Sequence, residues 1–236
     1  MKIKKTSFSE FLRLLAVKGE IENKELILNG NGNALEALTI TPLKTVSVYG
    51  VYKVLGAEKM SFGIGNMKLL DDFVNIFDEE EIEITKDNNE LVMKDSDKRN
   101  SLSYILTSPE YIKNSLDLKK FNEIKKKAEG NEFILSPESI SKIVKCYKTV
   151  NNGDIFLSNK GKNLVISLEH NKNKILAELK TDIKEDFSVR VSGLLVDILS
   201  SVSGSVSISI KNDSPIKIVM VSEEYEVVYL LALMKK

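Results

Sequence analysis

Through most of this chain apolar residues recur with period two, and in four places the period changes to that of a helix. Alternation marks half-buried strands at Glu81–Thr85, Ser101–Leu106, Leu164–Leu168, Ser205–Ile210 and Ile216–Val221. Turn residues punctuate them at Asn29-Gly30, Asn31-Gly32, Asn88-Asn89, Asn152-Gly153 and Lys160-Gly161. The helical stretches are Ser7–Val17, Asn66–Phe77, Pro137–Val150 and Gly193–Val202. Starts are expected at Ser7, at Asn66, at Ser136 before Pro137, and at Ser192. Each helix carries one apolar stripe, so each is expected to lie on a sheet with its other face exposed.

The order of elements is more restrictive than any one of them. A short strand leads into each helix (Lys2–Lys4, Met60–Ile64, Glu132–Leu135, Phe187–Val191), and about three strands follow it. Strand–helix–strand–strand–strand therefore occurs four times, an internal repeat of structure without obvious sequence identity. The fold class expected is α+β: two similar domains, each of two such units. Between the halves, Ser108–Asn131 loses alternation, carries six lysines and opens with Ser-Pro, as a connector does. Tyr111, Ile112, Leu116, Leu118 and Phe121 should pin it to a surface.

Composition narrows the function classes. The chain has 236 residues, 42% of them hydrophobic, enough for real cores. Lys plus Arg equals Asp plus Glu at 34 each, so only the distribution of charge can point to a polyanion. The single cysteine, Cys146, rules out a disulfide within the chain and suits a reducing compartment. The N-terminal MKIKKTSFSEFLRLLAVKG contains Glu10 and Arg13 and no small-residue cleavage site, so it is not read as a signal peptide. No run reaches the ~20 apolar residues that span a bilayer. The expectation is a soluble cytoplasmic protein without membrane contact.

Catalytic chemistry is not expected. His170, in EHNKN, reads as a surface residue of a hairpin turn, and Cys146 as a partly buried filler beside the third helix's stripe. One His and one Cys far apart make a poor metal set, so no metal and no cofactor are expected. The chain has no P-loop and no GxSxG. Phe62–Met67 (FGIGNM) lacks a third glycine and a βαβ setting, and Gly63 and Gly65 read as turn residues before the helix. The acidic run Asp78–Glu83 reads as an exposed face, and adjacent Asp71 and Asp72 point differently around their helix.

Three stretches carry a resemblance. Ser214–Met234, SPIKIVMVSEEYEVVYLLALM, is a Pro-led strand, an acidic turn and a strand of the form Tyr-apolar-apolar-Ala, with Pro215 and Tyr229–Ala232 on those positions. Gly63–Phe73 (GIGNMKLLDDF) and Glu132–Tyr147 (EFILSPESISKIVKCY) lead into the second and third helices. In these motifs and in its order of elements the chain resembles the two-domain, trimer-forming DNA sliding clamps. These are proliferating cell nuclear antigen and, nearer in its short second half and long connector, the clamps of large tailed phages. The resemblance implies a DNA-clamp fold with helices on the inner face and sheets outside. It implies an N-terminal domain over 1–107, a connector over 108–131 and a C-terminal domain over 132–236. It also implies a non-enzymatic homotrimeric ring around double-stranded DNA, sequence-independent, with a DNA polymerase and a clamp loader as partners. A phage source would place it in the host cytoplasm.

The sites implied by the resemblance follow residue by residue. Basic residues on the helices face DNA: Arg13, with Lys18 just after the first helix, Lys68 on the second, and Lys142, Lys145 and Lys148 on the third. The second helix sets Asp71 and Asp72 beside Lys68, and the fourth has Asp197 and no cation, so the inner surface is only partly basic. Subunits would pair through edge strands Ser101–Thr107 and Lys174–Lys180, with Tyr104, Leu106, Ile175 and Leu179 packing there. Partner peptides would enter a groove formed by Leu118 and Phe121 of the connector with Pro215, Tyr229, Leu231, Ala232 and Leu233, and with Leu38. For each interface and groove residue the alternative is ordinary core packing within one subunit. Two other readings of the whole chain stay open: a structural, viral ring- or tube-forming subunit, and a β-rich enzyme.

Overall fold

The expected order of strands and helices is present from end to end. The computed structural model describes residues 1–17, 23–57, 59–97, 99–113, 116–150, 153–170 and 173–234. Along the chain run β1 (Lys2–Lys4), α1 (Lys5–Ala16), β2 (Leu26–Gly30), β3 (Gly32–Ile40), β4 (Val46–Ala57), β5 (Ser61–Ile64), α2 (Met67–Ile76), β6 (Glu81–Asp87), β7 (Glu90–Asp95) and β8 (Ser101–Ile105). A 3-10 turn, Pro109–Tyr111, precedes α3 (Leu118–Lys127). Then follow β9 (Asn131–Leu135), α4 (Pro137–Thr149), β10 (Asp154–Lys160), β11 (Asn163–His170), β12 (Asn173–Leu179), β13 (Ser188–Val191), α5 (Leu194–Ser200), β14 (Val206–Ile210), β15 (Ile216–Val221) and β16 (Tyr225–Leu231). The chain divides into two units, one of Met1–Asp117 with Val221–Val227, the other of Leu118–Met220 with Val228–Lys236.

In the first unit β1, β6, β7 and β8 form one antiparallel sheet, and β5, β2, β3 and β4 line up in a second. The segment Val221–Val227 lies beside β4, where Lys53 N–H donates to the Glu224 carbonyl at 2.7 Å. The core centres on aromatic rings: Tyr52 stands 5.2 Å from Phe8 and 5.5 Å from Phe11, and Phe11 stands 6.2 Å from Tyr225. Gly50 lets α1 lie this close to β4, because a Cβ there would run into Phe11 and Leu15. Gly63 has a similar role. Thr107 N–H donates to its carbonyl at 2.9 Å, and a Cβ would overlap the Thr107 carbonyl. The GIG stretch is thus a close backbone approach as well as a lead into α2.

In the second unit β12, β11, β10 and β13 form one antiparallel sheet. β9, β14 and β15 lie together, with Val228–Leu231 of β16 next to β15. Asn131 fastens a loop to β9: its amide donates to the Glu185 carbonyl at 2.8 Å and its carbonyl accepts from Lys184 N–H and Glu185 N–H.

Helix ends follow local chemistry in two places. Asn66 accepts from Leu69 N–H at 3.0 Å and Ser136 from Ser139 N–H at 3.3 Å, as expected for N-caps. Two starts differ from expectation. α1 begins at Lys5 rather than Ser7, and its first turn is capped from outside by Glu80, which accepts from Thr6 N–H at 3.1 Å and from the Thr6 hydroxyl at 2.7 Å. Part of the acidic run is therefore a helix cap. α5 starts after Gly193, and the Ser192 hydroxyl is buried with no hydrogen-bond partner among the described residues. Burial also departs from a single stripe. Ser9, Leu14 and Ala16 are buried along with the Phe8/Phe11/Leu12/Leu15 face of α1, and α5 buries Leu194, Leu195, Val196, Ile198 and Leu199.

A fifth helix, α3, lies where only a connector was expected. Its apolar residues Phe121, Ile124 and Ala128 recur at helical spacing; Phe121 and Ala128 are fully buried. The Ser209 hydroxyl closes its C-terminal end, donating to the Ala128 carbonyl and accepting from Gly130 N–H, both at 2.9 Å.

Candidate functional site

The most basic helix face that the repeat itself provides is on α4. Ile140, Ile143 and Tyr147 are buried there, which turns Lys142, Lys145 and Lys148 outward. All three are exposed and none forms an ion pair among the described residues. Lys142 and Lys145 border an open depression with Pro137, Glu138, Ser141 and Cys146. Exposed ammonium groups on one side of a helix can follow a phosphate backbone without reading bases.

The first unit is different. Arg13 is exposed, but its Nε donates to Asp71 Oδ2 at 2.9 Å. Asp71 also accepts from the Ser9 hydroxyl and from Asn75 Nδ2, the latter at 3.0 Å. The charge of α1 is therefore spent within its own unit. Lys68 on α2 is exposed, with exposed Leu69, Asp72 and Ile76 on the same helix. On α5, Asp197 is half-buried, and together with Asp154 it adds to the burial that raises the Tyr147 phenol above its ordinary pKa. Lys18 lies outside the described residues.

β8 and β12 each end a sheet, with a ladder neighbour on one side among the described residues. Tyr104 and Leu106 turn inward and are buried, and the Tyr104 hydroxyl donates to the Asn66 carbonyl at 3.1 Å and accepts from Asn66 N–H at 2.9 Å. Burial raises the Tyr104 pKa, and the backbone bonds around it act against that rise. Ile175 and Leu179 are half-buried. The opposite faces carry Ile105, 72% exposed, and Leu176, 63% exposed. Period-two alternation along each strand places both on the outward face.

An open groove of about 1150 Å³ lies in the second unit. It brings together Pro215, Ala232 and Leu233 of the expected docking residues, and adds Phe187, Arg190 and Met234. Met234 N–H donates to the Arg190 carbonyl at 3.0 Å, which holds the end of the chain against β13. The Arg190 guanidinium donates to Asp154 at 2.7 Å and stacks 5.8 Å from the centre of the Phe156 ring. Tyr229 and Leu231 are buried, and neither lines this groove. Phe121 is buried beneath α3, while Leu118 at the start of that helix is 42% exposed. Leu38 is half-buried on β3 in the first unit.

Among the described residues no group of three His, Cys, Asp or Glu side chains stands together as a metal site. No helix among them is long and apolar enough to cross a membrane.

No protein-family model matches the chain, and no curated protein matches it. Solved structures do. The PCNA of A. fulgidus, solved with the C-terminal region of FEN-1 bound, superposes with a TM-score of 0.81 at 12% identity, over 100% of this chain and 98% of that one. PCNA from Entamoeba histolytica gives 0.79 at 12% identity, over 99% and 98%. PCNA from Thermococcus kodakaraensis gives 0.78 at 16% identity, over 98% of each chain. At such identities the shared property is the backbone. This chain has, over its whole length, the α+β fold of the proliferating-cell-nuclear-antigen sliding clamps.

Proposed function

We propose that this protein is a DNA sliding clamp, a ring of three copies that encircles duplex DNA and tethers a polymerase and other replication proteins through short peptide motifs. The observation that carries the reading is the full-length match to clamps in fold, joined to an outward row of unpaired lysines on α4. In this reading the division of the chain follows the expected scheme, with domains over 1–107 and 132–236 and a connector over 108–131. The row Lys142, Lys145 and Lys148 faces the hole, with Lys68, Arg13 and Lys18 as lesser contributors. A ring that must slide gains nothing from tight binding, since topology holds it on DNA and salt screens each contact.

Closure joins β8 of one copy to β12 of the next, which removes two open sheet edges at once. Ile105 and Leu176 pack on the outer side of that seam, and Ile175 and Leu179 on the inner side next to Tyr104 and Leu106. Peptides enter the groove at Pro215, Ala232 and Leu233. A clamp loader opens the ring. Size-exclusion chromatography with light scattering tests the assembly. Three chains per particle support the reading; a strict monomer at micromolar concentration that neither assembles on DNA nor stimulates a polymerase defeats it.

A further inference from the structure

The most basic helix among the described residues is not one of the four that the repeat supplies. α3 carries five lysines against one acidic residue, Glu123, a net +4 within ten residues of a chain whose net charge is zero. α4, with three lysines and Glu138, reaches +2. On α3, Lys120, Lys126 and Lys127 are exposed and form no ion pair among the described residues. Lys120 and Lys127 stand two helical turns apart on one side of the helix, about 10.5 Å along its axis. That is close to three nucleotide steps of about 3.4 Å on one strand of a duplex. The base under these charges is rigid. Phe121 and Ala128 are fully buried, and the Ser209 hydroxyl holds the C-terminal end of the helix. Ser209 alternates along β14 with buried Ile208 and Ile210, so α3 lies across the strand from the core that those two fill.

We infer that α3 is a second contact surface for the phosphate backbone of duplex DNA, apart from the row on α4 and without preference for sequence. Charge complementarity sets the sign, and the make-up of the exposed face selects the partner. Lys120, Asn122, Glu123, Lys126 and Lys127 are exposed, and all are polar. Protein interfaces centre on aromatic and Arg anchors and are depleted in Lys and Glu, and α3 offers only Leu118, 42% exposed, at its first position. A membrane surface fits no better, because the apolar face that would have to enter the lipid is spent on the protein's own core. Lysine ammonium groups act on phosphate oxygens as point charges and read no bases. Glu123 sits among them and lowers the affinity without reversing the sign. Binding at α3 needs no ring, so it is measurable whatever the assembly.

The test uses the full chain and a short fluorescent duplex of arbitrary sequence, followed by anisotropy across a salt series. Lys120→Gln/Lys126→Gln/Lys127→Gln should bind about tenfold more weakly at low salt, a margin that three exposed ion pairs can supply. Its slope of log affinity against log salt should fall by about 0.9 for each lost contact. The same loss should appear when the three α4 lysines are already alanine, because the two surfaces act separately. Glu123→Gln should bind about twofold tighter, a gain that a damaged fold does not produce. An affinity and slope that the triple change leaves untouched, or a Glu123→Gln protein that binds no tighter, would overturn the inference. So would a triple change that spares the duplex but abolishes binding of a glutamate-rich peptide or of phosphatidylserine vesicles. Light scattering on the same proteins keeps the two levels apart: a three-chain particle whose duplex binding ignores α3 sinks this inference alone, and α3-dependent binding by a monomer sinks only the ring.

Discussion

Arg13 and Asp71, 58 residues apart in sequence, are joined Nε to Oδ2 at 2.9 Å and tie α1 to α2 within the first unit. The bond turns a candidate DNA contact into a structural one. Arg13→Ala should therefore change duplex affinity little, less than about twofold, because an exposed pair of this kind is worth only ~0–1 kcal/mol. Asp71→Ala should do more harm to stability, since it strips partners from Ser9, Arg13 and Asn75 together. A loss of about 1–3 kcal/mol in denaturant unfolding is expected.

The α4 lysines should carry the salt dependence. Replacing Lys142, Lys145 and Lys148 with alanine is expected to weaken duplex binding and to lower the slope of log affinity against log salt by about 0.9 for each lost phosphate contact. The melting temperature should stay near wild type, because all three side chains are exposed. Filter binding across a salt series gives the slope.

The end of the chain separates two roles. Tyr229→Ala removes a ring that is 1% exposed, and should cost about 3–5 kcal/mol, enough to threaten folding. Deleting Leu233–Lys236 removes the Met234–Arg190 backbone bond and part of the groove wall, at about 1 kcal/mol. The truncated chain should still assemble while binding apolar peptides more weakly. Failure of the truncation to fold would show that Leu233 belongs to the core.

Glu80 gives a pH signature. Its hydrogen bond from the Thr6 hydroxyl, foremost, and that from Thr6 N–H hold its pKa below the ordinary carboxylate value. A depressed carboxylate stabilises the fold above its unfolded pKa and loses that contribution as pH falls through the lowered folded value. Glu80→Ala should thus melt below wild type at neutral pH, and the two curves should converge as pH falls through the lowered folded value. Calorimetry at stepped pH reads this; a gap that widens with acid would contradict it.

Local chemistry made most of the fold legible. Asn66 and the Ser136-Pro137 pair mark their helices because the cap lies beside the helix it closes. The start of α1 was not legible because its cap, Glu80, arrives from 74 residues away. α3 was hidden by composition: with only Leu118, Phe121 and Ile124 apolar among ten residues, its lysines read as a solvated connector. Ser209, which closes that helix, lies on a distant strand. The α4 lysines were visible as a row opposite a stripe. The neutralisation of Arg13 and the outward turn of Ile105 and Leu176 depend on tertiary neighbours that spacing does not reveal.

The central claim is topological, and a blocked-end retention assay tests it most directly. The protein is threaded onto linear duplex DNA, both ends are then closed with bulky protein blocks, and the complex is washed in high salt. A ring should remain bound until a restriction cut opens an end, and then leave at once. Release by salt alone, with both ends still closed, would contradict encirclement and with it the clamp account.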